Sequence, residues 1–181
     1  MNWILIAVLG GLGGPQAPGP GPTAKASPAT PSVEERLERV RAIHGGTGPW
    51  AVVGYRIGER ALHDLDLPRQ SFALLVVHRS PAEVQYSCVA DGLQAATGVS
   101  SGKLNLKLEA VPAERLETVV EDRRSGRTLR FRVKPELARS ILDVPMARLE
   151  AEGARVMHLD DAAIFAVEEV KPARPTPPAA P

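Results

Sequence analysis

The sequence predicts a single α+β domain. A mixed or antiparallel sheet, with a hairpin in the C-terminal half, packs against several helices. Three observations predict it. Helix-period and strand-period segments fall in segregated runs, helices first and the hairpin later. Two alternating stretches, Leu116–Glu121 and Thr128–Lys134, flank the turn sequence Arg124-Ser125-Gly126-Arg127. The chain has 181 residues, 44% hydrophobic and 24% charged, which is enough for one ordinary core and not two.

The elements follow in order. Ser32 and Glu35 form a capping box after Pro31, and Val33, Leu37, Val40 and Ile43 recur at helical spacing until Gly45-Gly46 ends the helix. A second helix runs from Pro49 to about Leu65. Phe72–His78 is a continuous apolar run, read as a strand buried on both faces. Pro81 interrupts the chain, and Val84–Cys88 reads as a second short strand. Asp91–Thr97 reads as one or two helical turns stopped by Gly98. Leu104–Leu108 alternates as a strand with one solvated face. Pro135 starts a helix at its permitted first position. Ala147–Met157 is a further helix, and Ala163–Val170 closes the domain as a strand.

The ends read differently. Proline clusters before residue 32 and after residue 171, where apolar burial cannot offset chain entropy. The apolar run from Trp3 to about Leu12 has the length of a signal-peptide core, and Ala24-Lys25-Ala26 supplies a cleavage pattern. The expected organisation is a signal peptide over 1–26, a Pro-rich linker over 27–31, the folded domain over 32–171 and a disordered tail over 172–181. The mature domain is then exported, periplasmic or extracellular, and meets the membrane only transiently.

Composition excludes several function classes. With 22 Lys and Arg against 21 Asp and Glu, the formal charge is +1, so bulk charge does not drive nucleic-acid binding. The basic residues Arg123, Arg124, Arg127, Arg130, Arg132 and Lys134 read as a solvated strand face paired with Glu117 and Glu121. One cysteine excludes an intrachain disulfide and a multi-thiolate zinc site within one chain. Gly98–Lys103 lacks the G-x-x-x-x-G-K-[ST] spacing of a nucleotide phosphate loop. Nothing resembles a nucleophile elbow.

Two segments carry the remaining chemistry. The first is His44-Gly45-Gly46-Thr47-Gly48-Pro49-Trp50-Ala51-Val52-Val53-Gly54-Tyr55-Arg56. The second runs from Cys88 to Leu106 and holds Cys88, Asp91, Gln94, Thr97-Gly98, Gly102-Lys103 and Asn105-Leu106. In order and separation these resemble the core domain of the formylmethanofuran dehydrogenase E-subunit (FmdE) family, whose pattern is approximately H-G-H-x-C-P-G-x-x-x-G-Y-R followed by C-x-x-D-x-x-Q-x-x-T-G-C-x-x-G-K-x-N-L. The chain departs from it at Gly46, Gly48, Trp50 and Val99, which stand at the family's histidine, cysteine, glycine and second cysteine positions. The zinc ribbon of some relatives has no counterpart, because no cysteine follows Cys88.

The resemblance implies a bacterial homodimer with a reduced site that binds a small ligand or a divalent transition metal, and no pterin. Cys88, His44 and Asp91 are the implied metal donors, a soft-ligand set. Asp91, Gln94, Lys103 and Asn105 are the implied ligand contacts. Cys88 as nucleophile with His44 as base is the enzymatic alternative, and a structural protein with a decayed site is the third. If Cys88 and Asp91 share the first turn of a helix, the helix N-terminus favours the thiolate. The bland readings are a cysteine used as a small hydrophobe and a histidine at a helix C-terminus.

Overall fold

The computed structural model of the chain describes residues 31–170. The elements are α1 (Val33–His44), α2 (Pro49–Asp64), β1 (Leu74–Ser80), α3 (Val84–Thr97), β2 (Leu106–Ala110), β3 (Glu117–Asp122), β4 (Thr128–Val133), α4 (Pro135–Leu142), α5 (Leu149–His158), α6 (Asp161–Ile164) and β5 (Phe165–Val170). The strands form a five-stranded mixed sheet in the order β2-β1-β3-β4-β5. β1 and β2 are parallel, joined through α3, and every other neighbouring pair is antiparallel. The α+β class and the hairpin are as the sequence implies. The expected leader over 1–26, most of the linker and the C-terminal tail lie outside the described residues.

Local signals set α1. Ser32 accepts from the Glu35 N–H at 3.2 Å, and the Glu35 carboxylate accepts from the Ser32 N–H at 2.7 Å. Gly45 ends the helix at φ 83°, a left-handed cap that glycine adopts without strain. α2 is apolar nearly all round, with Trp50, Ala51, Val52, Val53, Tyr55 and Ile57 buried, as expected of a central helix.

The buried face of the sheet carries Leu74, Val76 and His78 on β1, Thr118 and Val120 on β3, Leu129 and Phe131 on β4 and Phe165 on β5. His78 is a buried polar residue of β1 in this layer, with Ser80 beyond it at the strand's end. Its Nε2–H donates to the Tyr86 carbonyl at 3.1 Å, so Nδ1 accepts from the Thr118 hydroxyl at 2.9 Å. Burial lowers its pKa to about 4, which keeps the ring neutral.

α2 and α3 pack backbone against backbone. A Cβ on Gly92 would fall inside the van der Waals shell of the Ala51 carbonyl, and one on Gly54 inside that of the Val89 carbonyl. The two helix backbones therefore touch through two reciprocal glycines, and Gly58 continues the contact against Ala96 and Thr97.

Four expectations are corrected. Val84–Cys88 is not a strand but the opening of α3, which runs unbroken to Thr97 because docking on α2 rewards a continuous helix. β1 begins at Leu74, and only alternate residues are fully buried; Phe72 precedes it and is 71% exposed. β2 begins at Leu106, because Ser101–Lys103 forms a 3-10 turn and Leu104 adopts a left-handed φ of 55°. Arg130 and Arg132 pair with Glu117 and with Glu168 on β5, rather than with Glu121, since β5 and not the hairpin alone flanks β4.

Gly92→Ala should destabilise the domain by about 2 kcal/mol or more in urea unfolding, despite alanine's higher helix propensity, because the backbones must separate. Gly46→Ala, where an added Cβ meets nothing within 4 Å, should be near neutral. Equal midpoints for the two variants would contradict the close approach.

Candidate functional site

The α2–α3 contact sets Cys88 and Asp91 beside the start of α2 and the end of α1. Cys88 lies in the second turn of α3, with Asp91 three residues on. The expectation that the two occupy a first turn is thus corrected. Neither benefits from unpaired N–H groups at the helix start. Burial pushes the Cys88 thiol up, and the Asp91 carboxylate pushes it further the same way. The resting side chain is a half-buried thiol, not a thiolate.

His44 ends α1, and Asp91 holds it. Nδ1 lies 2.8 Å from Asp91 Oδ2. An ionised carboxylate only accepts, so Nδ1–H donates to it and Nε2 is the ring nitrogen left free of Asp91. That second nitrogen faces Gly48: a Cβ added there would sit 4.0 Å from it, with no other atom as near. Gly46 and Gly48, at the family's His and Cys positions, both border open space.

These residues share one cavity of about 620 Å³. His44, Gly46, Gly48 and Cys88 line it together with Pro49 and Trp50 of α2. The opposite wall comes from α4, the loop after it and the start of α5: Ile141, Leu142, Val144, Met146 and Leu149. Most of the lining is apolar. Met146 is 84% exposed and Val84 79% exposed at the cavity's edge. The indole N–H of Trp50 is buried and has no acceptor among the described residues. An unpaired buried donor is costly to the fold.

The remaining nominated residues lie elsewhere. Asn105 is buried, and its Oδ1 accepts from the Ser100 N–H at 3.0 Å, which braces the turn before β2. Lys103 donates to the Gly98 carbonyl at 2.7 Å. Lys103 and Gln94 line a separate cleft with Val99. The predicted set therefore divides: His44, Asp91 and Cys88 cluster at the large cavity, and Gln94 and Lys103 do not join them. The α4–α5 wall was not foreseen from the sequence. Its local signals are Val144-Pro145-Met146, two apolar residues around a loop proline, and Gly153 within α5, which lets that helix touch the Thr47 carbonyl.

A tightly held transition metal needs about three converging protein donors. Among the described residues no group of three or more His, Cys, Asp or Glu side chains is arranged to hold one. Asp91 is spent on His44, and glycines occupy the two positions where the family pattern has further donors. The donor set present does not fit such an ion.

The fold has a counterpart. A crystal structure of a tungsten formylmethanofuran dehydrogenase FmdE-like protein from Syntrophus aciditrophicus superposes with a TM-score of 0.53 at 19% identity, covering 81% of this chain and 75% of that one. Comparison with curated protein sequences finds no match. The family model described as FmdE, molybdenum formylmethanofuran dehydrogenase operon, matches residues 43–173. That span takes in both motif segments, the α2–α3 contact and the whole sheet, and the chain belongs to the FmdE family.

Proposed function

We propose that this domain binds a small, mainly apolar molecule with one polar end, in the cavity between the α2 N-terminus and the α4–α5 wall. One observation carries the reading. The motif positions that would crowd this space with polar side chains, 46 and 48, are glycines, and the space beside them is open and apolar-walled. A volume of this size suits a small organic ligand. The His44–Asp91 pair supplies the polar end: Asp91 fixes the ring, and Nε2 is oriented to hydrogen-bond a polar group of the ligand. Export of the domain, and its pairing as a homodimer, belong to the same reading and rest on the N-terminal apolar run and the family resemblance.

The neutral fluorescent probe N-phenyl-1-naphthylamine tests the cavity. The full chain should bind it saturably. Gly48→Leu has room for its side chain and should weaken binding about tenfold or more, by filling apolar volume, with an unchanged urea midpoint. Equal binding by parent and variant would place the ligand site elsewhere.

The second reading, an enzyme using Cys88 and His44, has the ordered Asp91–His44 pair in its favour. It requires a thiolate, which burial and Asp91 both oppose. Cys88 should therefore react slowly with a disulfide reagent at pH 7, with the rate still rising above pH 9. Asp91→Asn removes a negative charge that raises the thiol pKa, so it should speed the reaction severalfold at pH 7. A parent rate already at its plateau by pH 7 would revive the catalytic reading.

A further inference from the structure

We propose a second binding site, for an oxyanion, in the cleft between the C-terminal ends of α1 and α3. The cleft measures about 340 Å³ and is lined by Arg39, Arg69, Lys103, Gln94 and Ser100, among others, with no carboxylate. Three cations converge there from three parts of the chain: α1, the segment before β1, and the turn after α3. Arg39 and Arg69 lie outside both motif segments.

The pattern is unusual for this molecule. Most described arginines sit on carboxylates: Arg36 on Glu59, Arg56 and Arg60 on Asp161, Arg79 on Glu109 and Glu117, Arg127 on Glu169. In the cleft the partners are neutral oxygens. Arg69 donates to the carbonyls of Ala95 and Ala96, both at 2.7 Å. Lys103 donates to the Gly98 carbonyl at 2.7 Å, and Arg39 to the Tyr55 hydroxyl at 3.4 Å.

The carbonyl end of α3 explains part of this, because cations stabilise helix C-termini. It leaves two things unexplained. Arg39 comes from another helix and touches no α3 carbonyl. The three side chains also retain unspent donors, since a guanidinium has five N–H groups and an ammonium three. Only Arg39 has a carboxylate nearby, the exposed Glu35 one turn earlier on α1, so gathering three cations here is unfavourable unless an anion completes the set. A phosphate monoester or a carboxylate is the group whose oxygens match such forks.

The cleft and the apolar cavity are separate, so the two readings stand or fall independently. The test is a titration of the 15N-labelled full chain with inorganic phosphate and, separately, malonate, at constant ionic strength against chloride. Saturable shifts should centre on the amides of Gln94, Gly98 and Ser100. Saturation by phosphate alone assigns a phosphoryl group, by malonate alone a carboxylate, and by both a general oxyanion site. Arg39→Gln should weaken binding about tenfold. Lys103→Gln provides a second variant if the first folds poorly, while Gly48→Leu should leave this titration unchanged. Shifts reproduced by chloride, or indifferent to both charge-removing variants in folded protein, would overturn the site.

Discussion

Everything at the candidate site depends on how closely α2 and α3 approach. Gly54 and Gly92 let the two backbones touch, each at the other helix's carbonyl. At ordinary helix separation, set by side chains, α3 would stand some ångströms further out. Asp91, next to Gly92, would then lose its reach to His44, and Cys88 would leave the start of α2. The same contact fixes the sheet, since α3 links the parallel strands β1 and β2, and His78 ties β1 to α3 through the Tyr86 carbonyl.

From that constraint the chemistry follows by subtraction. In the family pattern the segment between α1 and α2 bears polar donors, and here it bears glycines. What remains is one oriented histidine, one protonated thiol and a tryptophan with an unpaired N–H, set against aliphatic side chains from α4 and α5. An oriented His–Asp pair in an apolar hollow is equipped to fix a ligand's polar end. It lacks the converging anionic donors that hold an ion tightly. The cationic cleft on the other side of the α1 C-terminus has the opposite character, polar and positively charged. The domain thus presents two hollows of different chemistry on either side of one helix end.

Much of this architecture was legible where the determinant was local. The capping box at Ser32, the Gly45 stop, Pro49 and Pro135 at helix starts and the Arg124–Arg127 turn each act within a few residues, and each element stands where its signal lies. The motif spacing also located His44, Cys88 and Asp91 at one site. The failures have a common cause. Val84–Cys88 reads as a short strand until α2 is present to receive a full helix, and the error carried into the expectation of a first-turn, acidified cysteine. Asn105 matches a ligand position by pattern, but its amide oxygen braces the turn before β2 and the residue does not line the cavity. The α4–α5 wall comes from far along the chain, after the sheet's central strands, and no local pattern ties it to His44.

Metal retention tests the central claim most directly, because it asks whether the site is a hollow for an organic ligand or a depleted but working metal centre. Full-length protein would be loaded with zinc, iron or copper, desalted and analysed by mass spectrometry, beside Cys88→Ala and a Gly46→His/Gly48→Cys double variant that restores the family's donors. The account predicts well below stoichiometric metal in the parent, no change on Cys88→Ala and clear retention in the double variant. Near-stoichiometric metal in the parent that is lost in Cys88→Ala would contradict it.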